Sequence, residues 1–511
     1  MDKRNKVVAF EEAVACIEDG STVFVAGVEN IMLPDRTLAA LESRFLETGH
    51  PHSMTELHTT IHGMGEGVGL ERFAHEGMVK QVIGSGFSFL KTSKMTAMLR
   101  ENKIEAYVMP MGTIFEMLHR MSAGEEYTIT RTGIGTFVDC DVEGGRMNEV
   151  STAKLCEKIA FQGEPYLCYQ NPRIDVAIVR GTTVDESGNL TVEHEPVNAG
   201  VLSGAMAAKA CGGKVIVQAE RLARNGTLNP RDVLVPGIMV DYIVIDPQQS
   251  VSGGKEVNPS ITGEVKAPNS AFAPLPLDIK KVISRRAMLE IAEDDHVINL
   301  GVGIPANIPL IQMEETGGVQ SVFFPEHGSI GGVPAERKIF GVNINPEAIL
   351  DSSFVFPYYR GGGLDIAFLG FGQIDKGGNV NVSKFNGIVP GCGGFIDIAH
   401  RTRRLVFCGT FSAVGVDIRV EAGGLNILQE GKECKLVDQV EQITLNGAVA
   451  LGKGQVLTYI TERCVFKYTK EGLALVEIAP GVDLQRDILA QIPFAVDVRD
   501  VKLMPEAIFL P

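Results

Sequence analysis

The sequence IDVAIV at residues 174–179, followed by DESGNLTV at residues 185–192, is found again as LDIAFL at 364–369 and DKGGNVNV at 375–382. The aspartates at 175 and 365, and the asparagines at 189 and 379, are 190 residues apart in both cases. An apolar run of this length predicts a buried strand, and the Gly-Asn pair that follows predicts a hairpin turn. The repeat therefore indicates two related halves within one chain.

The beginnings of the two halves also match. Residues 11–17 predict a helix and residues 22–26 a strand that ends at Gly27, and this order recurs at 285–291 and 296–300 before Gly301. Helices that alternate with strands and Gly-rich turns are typical of α/β proteins with mainly parallel sheets. Residues 258–277 carry five Pro and Gly residues and indicate a linker. We therefore predict two related open α/β domains, 1–275 and 276–511, with the active site in the cleft between them.

Composition excludes several classes of function. The 511 residues are too many for one core, and the net charge of −16 leaves no broad positive field for nucleic acid or anionic membranes. The sequence shows no apolar stretch typical of a leader or a membrane span. The nine cysteines form no CxxC pair, which favours a reduced, cytoplasmic location. His58 and His62 lie in a predicted strand, so we expect no metal site.

The segment 323–334, FFPEHGSIGGVP, places the carboxylate of Glu326 between an apolar run and a Gly-rich turn. Chemistry in α/β proteins concentrates where strands end in such turns. A carboxylate that loses hydration there becomes more basic and more nucleophilic. The alternative is that Glu326 only caps the next helix.

Three glycine clusters accompany this carboxylate. Residues 301–306 fit the pattern G-x-G-x-x-A, which indicates either a phosphate-binding or pantetheine-binding turn or only a tight βα turn. Residues 391–394, GCGG, indicate an oxyanion hole made of backbone N–H groups, or a loop with left-handed positions. The third cluster is residues 361–363, GGG, and Arg360 directly before it is either an anion clamp or a solvated side chain. Since GxSxG, P-loop and HExxH motifs are absent, a carboxylate nucleophile with backbone donors is favoured.

Taken in order, the segments 301–305, 326–335, 361–365, 378–385, 391–395 and 461–466 make the chain resemble the class I CoA-transferases. The resemblance extends from Gly27 to about residue 483. It is closest to the acetate/propionate CoA-transferase branch, in which the alpha and beta halves are fused. Residues 1–275 would correspond to the alpha half, and residues 276–511 to the beta half that carries the nucleophile.

The resemblance implies a ping-pong transfer of CoA from an acyl-CoA to a free carboxylic acid. Glu326 would attack the thioester, form a mixed anhydride and then carry CoA as a glutamyl-CoA thioester. The amide of Gly393, with Gly394 beside it, would bind the oxyanion. Coenzyme A would be a substrate, no cofactor would be permanently bound, and the protein would form a homodimer or homotetramer. The implied CoA-binding residues are Gly301, Val302, Gly303, Ile304, Pro305, Gly391 and Lys384.

Two positions depart from the family pattern. His327 follows the nucleophile where relatives usually have Ser, Asn or Gly, and it either supplies a donor or has no role. Met111-Gly112 stands where relatives carry Gln-Gly near the acyl site. Replacing an amide by Met111 removes a donor and adds apolar volume, so we expect an acid that is larger or more apolar than acetate, within the short-chain range.

Three alternatives stay open from the sequence. An acyl-CoA hydrolase on the same fold would use water as the acceptor. An NAD-dependent oxidoreductase would use residues 301–306, but the acidic ribose ligand expected about 20 residues later is absent. A non-catalytic CoA-binding paralogue would have no use for Glu326.

Overall fold

The computed structural model describes residues 6–249, 258–335, 339, 341–421 and 423–511. Within these ranges, the first half contains helices α1 Phe10–Val14, α2 Asp35–Thr48, α3 Lys94–Arg100, α4 Met111–Ser122 and α5 Val201–Ala210. Its strands are β1 Thr22–Val25, β2 Met54–His58, β3 Val79–Gly84, β4 Glu105–Val108, β5 Tyr127–Thr130, β6 Cys156–Phe161, β7 Glu164–Gln170, β8 Val176–Asp185, β9 Leu190–Thr191, β10 Lys214–Ala223 and β11 Tyr242–Ile245.

The second half also alternates helices with strands, and many of its strands have only two residues. Its helices are α6 Ile279–Met288, α7 Ile308–Thr316, α8 Ser352–Arg360, α9 Phe395–Arg401 and α10 Gly447–Gly452. Its strands are β12 Val297–Leu300, β13 Val322–Phe323, β14 Ser329–Ile330, β15 Val333–Pro334, β16 Asn343–Ile344, β17 Ala348–Ile349, β18 Ile366–Gly370, β19 Gln373–Asp375, β20 Val380–Asn381, β21 Arg404–Cys408, β22 Ser412–Ala413, β23 Asp417–Glu421, β24 Gly424–Gln429, β25 Glu433–Cys434, β26 Leu436–Val437, β27 Val456–Ile460, β28 Cys464–Thr469, β29 Gly472–Ile478 and β30 Asp497–Leu503.

Each half is built on an eight-stranded sheet. The first has the order β11-β10-β8-β1-β2-β3-β4, with every neighbouring pair on this path parallel and β9 attached to β8. The second has the order β13-β12-β18-β21-β27-β28-β29-β30, parallel up to β27. All ten residues of β8 are buried, as expected for a parallel strand covered on both faces. The predicted α/β class with mainly parallel sheets is confirmed.

The repeated hairpins have the same local chemistry. Asp185 Oδ1 accepts hydrogen bonds from the amides of Ser187 and Asn189, and Asp375 Oδ1 accepts from Gly377 and Asn379. Both asparagines also donate to the second oxygen of their aspartate, at 2.7 Å and 3.1 Å. The two hairpins are antiparallel, as predicted: β8 with β9, and β19 with β20.

Two predicted helices have different bounds in the structure. The first is α1, which ends at Val14, before the predicted end at residue 17. The second is α6, which begins at Ile279, because the carboxylate of Asp278 accepts the amides of Lys280 and Lys281 and caps the helix there. Residues 258–277 contain one short 3-10 turn, Asn269–Ala271. The domain boundary at residue 275 stays a prediction. Among the described residues, none of the helices combines the length and apolarity needed to cross a bilayer.

Candidate active site

Glu326 lies just beyond the end of β13, in a backbone segment that buried side chains hold in place. The carbonyl oxygen of Phe324 accepts hydrogen bonds from Tyr359 Oη at 2.6 Å and from Asn299 Nδ2 at 2.9 Å. Gly328 has a φ of 98°, and a β-carbon there would collide with the carbonyl oxygen of Leu350. The turn after the carboxylate therefore requires glycine.

The Gly391–Gly394 loop of the second half rests on the end of β3 in the first half. The carbonyl oxygen of Ser85 accepts the amides of Cys392 at 2.8 Å and Gly393 at 3.0 Å. The Gly393 carbonyl in turn accepts the amide of Met111, at the start of α4. These bonds fix the loop so that the Gly394 amide donates to Glu326 Oε2 at 3.0 Å. A β-carbon at 394 would collide with this oxygen.

The electrostatics of the site raise the basicity of the carboxylate. The side chain of Glu326 is 17% exposed, and burial raises its pKa from the ordinary 4.5 to about 7. The Gly394 hydrogen bond lowers this pKa, and the charge of Asp397 raises it further. Burial also raises the pKa of Asp397 to about 6, although Arg360 and the amide of Gly112 favour its charged form.

His327 is buried and neutral beside the carboxylate. Its Nε2 lies 3.9 Å from Glu326 Oε1, beyond hydrogen-bonding distance. Burial lowers its pKa to about 3, so the ring carries no charge at neutral pH. Its Nδ1 has no partner among the described residues. His327 therefore shapes the site as a neutral ring and does not act as a cation.

A cavity of about 440 Å³ opens next to Glu326 and is lined by both halves. Eight of the predicted site residues line it: Met111, Gly301, Val302, Glu326, His327, Gly391, Gly393 and Gly394. Among the described residues that line the cavity, none is Lys or Arg. The cavity therefore lies in the predicted cleft, with the carboxylate on the side of the second half.

The other predicted residues do not line this cavity. Gly303, Ile304 and Pro305 belong to the turn behind it, where a 3-10 helix at Ile304–Asn307 leads into α7. The ammonium of Lys384 donates to the carbonyl oxygen of Met147 at 3.0 Å. The amide of Gly112 donates to Asp397 Oδ2 at 2.9 Å, so Gly112 contacts a buried carboxylate of α9.

Arg360 joins the two halves. Its Nη1 lies 2.6 Å from Glu116 Oε2, its Nε lies 4.0 Å from Asp397 Oδ1, and its side chain is 14% exposed. The view of Arg360 as a solvated side chain is therefore wrong. No sequence motif predicts this contact, because 244 residues separate Arg360 from Glu116.

Sequence reasoning missed several lining residues, among them Glu29, Thr60, Ser85 and Asn299. Glu29 has a φ of 49° and stands two residues beyond Gly27, in the turn that follows the end of β1 at Val25. This end corresponds to that of β12 before Gly301 in the second half. The repeat could thus have located Glu29, whereas Thr60 and Ser85 lie in loops without a recognisable motif.

His58 and His62 share one buried carboxylate. Glu56 Oε2 lies 2.8 Å from His58 Nδ1, and Glu56 Oε1 lies 2.9 Å from His62 Nε2. The other nitrogen of His58, Nε2, lies 2.8 Å from the carbonyl oxygen of Gly86. Burial lowers the pKa of His58, but the charge and hydrogen bond of Glu56 raise this pKa overall, which favours an imidazolium that donates from both nitrogens. The three side chains form a buried hydrogen-bonded group, in which His62 Nδ1 has no partner among the described residues.

Comparison with known proteins places the chain in a family. Residues 7–246 match the family model for Coenzyme A transferase. The caffeate CoA-transferase of Acetobacterium woodii is 41% identical over 521 residues, which cover 99% of this chain and 97% of that protein. The chain belongs to the CoA-transferase family and is an acyl-CoA:carboxylate CoA-transferase with both halves fused.

Further relatives share the whole architecture. The acetate CoA-transferase YdiF of Escherichia coli K12 is 38% identical over 99% of this chain and 96% of that protein. The crystal structure of the acyl-CoA transferase YdiF from E. coli O157:H7, a thioester complex with CoA, has a TM-score of 0.94 at 36% identity, and the match covers 100% of this chain and 97% of that one. The oxidoreductase alternative is therefore wrong, and the glycines at 301–303 serve a βα turn of a CoA-transferase.

Proposed function

We propose that this enzyme transfers CoA from an acyl-CoA to an apolar monocarboxylic acid through a covalent glutamyl-CoA thioester on Glu326. The observation that carries the proposal is the hydrogen bond from the Gly394 amide to Glu326 Oε2, in a cavity lined by both halves. Family membership supports the transfer, and the structure of the relative YdiF as a thioester complex with CoA fits a thioester intermediate.

The chemistry balances without a metal or a separate base. A carboxylate oxygen of Glu326 attacks the thioester carbonyl, and the C–S bond breaks to give a mixed anhydride and CoA thiolate. The thiolate attacks Cδ of Glu326 and releases the first acid. The carboxylate of a second acid then attacks the glutamyl thioester, and the same steps in reverse form the new acyl-CoA.

The Gly394 amide is placed to stabilise this sequence. It points at an oxygen bonded to Cδ, the carbon that becomes tetrahedral when CoA thiolate or a second carboxylate attacks. Charge that develops on this oxygen strengthens the hydrogen bond in the transition state. Loss of one such donor typically lowers kcat about 10²–10³-fold. The sequence predicted Gly393 as the main donor. We assign this role to Gly394, because the Gly393 amide donates to the carbonyl oxygen of Ser85.

The acid-binding side of the cavity is apolar. Met111 is 1% exposed, and its sulfur accepts the hydroxyl of Thr60 at 3.2 Å, which occupies the nearest side-chain donor. Glu29 adds a carboxylate to the wall. A second carboxylate on the substrate would face this acidic group without a Lys or Arg among the described lining residues. These contacts favour monocarboxylic acids with an apolar portion over acetate and over dicarboxylic acids.

Covalent trapping tests the nucleophile. Incubation with acyl-CoA followed by borohydride should reduce the thioester to an alcohol, and peptide mass spectrometry should locate this change on Glu326. The Glu326→Gln variant should give no adduct, whereas Glu347→Gln, at an exposed residue of the same half, should give it fully. An active enzyme whose Glu326 stays unmodified would overturn the mechanism.

A substrate panel tests the acid. We expect a higher kcat/KM for acids with an apolar chain or ring than for acetate, and we expect Met111→Gln to shift the ratio toward acetate. Highest efficiency with acetate and propionate in the wild type would refute the assignment. Product analysis with and without an acceptor acid separates transfer from hydrolysis, since a hydrolase releases free CoA in both cases. The cytoplasmic location and the homo-oligomeric state stay predictions.

A further inference from the structure

A second cavity, of about 680 Å³, lies between the two halves and is lined by basic side chains. The cationic side chains are those of Arg131 from the first half and of Arg401, Arg403 and Lys453 from the second, and His400 lies beside them. We call this cavity the basic cavity. Four cationic side chains around one cavity are unexpected in a chain with a net charge of −16.

These four cationic side chains are exposed to solvent, and most of them lack a counter-charge among the described residues. Among the described residues, the side chains of Arg401, Arg403 and Lys453 make no hydrogen bond and no ion pair. Arg131 pairs with Glu164 at 2.7 Å, with about half of each side chain exposed. The acidic residue that lines the cavity, Asp365, already accepts the amides of His296 and Val297 with Oδ2, each at 2.9 Å.

The cations also act on one another. The pKa of Lys453 is lowered by burial and by the charges of Arg131 and Arg401. The pKa of His400 is lowered to about 3 by burial, with Lys453 and Arg401 as the leading charges. Holding like charges together costs free energy that a bound anion would recover.

The basic cavity is separate from the cavity at Glu326. Asp365, Arg403 and Gln455 stand before the amino ends of β18, β21 and β27, whereas the Glu326 cavity is lined at the carboxyl end of β18. Helix dipoles explain part of the basic cavity, because Arg401 ends α9 and Lys453 follows α10. They do not explain Arg131 or Arg403, which belong to no helix end.

We infer that the basic cavity binds a small molecule with two or more linked phosphate groups. Guanidinium groups match phosphate oxygens in a two-point geometry, and three of them surround this cavity with one ammonium group. The apolar side chains of Ile134, Pro165 and Val449 line the same cavity and fit a base or another apolar portion of the ligand. The inference is independent of the reaction at Glu326.

Isothermal titration calorimetry tests this site, with ATP and inorganic pyrophosphate as separate probes and without CoA, which itself carries two linked phosphate groups. We expect one equivalent to bind the wild type and at least tenfold weaker binding to the double variant Arg401→Gln/Lys453→Gln. The single variant Arg403→Gln should weaken binding less. A matched double variant at exposed cations elsewhere, Arg419→Gln/Lys432→Gln, should bind as the wild type does.

The two probes separate the sources of the phosphate. Binding of both supports recognition of the linked phosphates alone, and binding of ATP only supports a nucleotide. Three results would overturn the inference: no binding of either probe at millimolar concentration, equal binding to all variants, or a raised KM for acyl-CoA in the Arg401/Lys453 variant, which would assign the cations to the CoA site. A changed oligomeric state of that variant in size-exclusion chromatography, without binding to the wild type, would assign them to a subunit interface.

Discussion

Replacing Glu326 by Gln should abolish transfer and make the protein more stable at alkaline pH. Burial raises the pKa of Glu326 from 4.5 to about 7, so the fold favours the protonated form. Its contribution to stability is complete below pH 4.5 and is lost as the pH rises through about 7. Linkage with these two values gives a loss of about 2.5 kcal/mol in the wild type between pH 5 and pH 8. Gln does not titrate, and its carbonyl oxygen can keep the Gly394 hydrogen bond.

Thermal unfolding measured at pH 5 and pH 8 checks this value. A chain of 511 residues has an unfolding entropy of roughly 1 kcal/mol/K, so the Tm of Glu326→Gln relative to the wild type should rise by about 2 °C between the two pH values. Glu471→Gln, at an exposed residue, controls for the loss of one carboxylate. If the Tm difference between Glu326→Gln and the wild type is the same at pH 5 and pH 8, the idea that the ionised carboxylate of Glu326 destabilises the fold is refuted.

Three further predictions concern neighbouring residues. Gly394→Ala should lower kcat about 10²-fold or more, because a β-carbon collides with the Glu326 carboxylate and moves it away from the amide of residue 394. Gly452→Ala, in open space, should leave kcat unchanged, and equal rates for the two variants would show that transfer does not need this close contact. The rise of kcat/KM with pH near 7 should persist in His327→Asn, since the His327 ring is already neutral there, and a shifted midpoint would show that the ring titrates. Glu56→Gln should cost roughly 3–5 kcal/mol, seen as a fall in Tm of about 3–5 °C, because the imidazolium of His58 loses its counter-charge. An unchanged Tm would show that His58 is neutral.

Local motifs in the sequence sufficed to predict the parallel sheets and the hairpins, and they located Glu326 beside the cavity between the halves. Hydrogen bonds between residues four apart close the Asp-to-Asn hairpin turn, so the sequence pattern and the turn that it predicts lie in the same short segment. The same holds for the glycines at 391–394, whose spacing already indicates exposed backbone donors. Such features depend on residues that are close in the sequence, so a single sequence is enough to predict them.

Contacts between the halves could not be predicted in this way. The bonds from Cys392 and Gly393 to Ser85 decide which amide reaches Glu326, and more than 300 residues separate the partners. The sequence therefore predicted Gly393 as the main donor, whereas packing against β3 assigns the bond to Gly394. The cations of the basic cavity are likewise scattered from residue 131 to residue 453, and no motif connects them.

Helix α9 has a consequence for the molecule as a whole. It begins directly after Gly394, whose amide bonds Glu326, and ends at Arg401 in the basic cavity, a span of roughly 10 Å. One helix therefore connects the two cavities. If an anion displaces Arg401, the thioester state at Glu326 must change the affinity for that anion by the same factor by which the anion changes the stability of the thioester state. The seven residues of α9 would then be the coupling element of an allosteric enzyme.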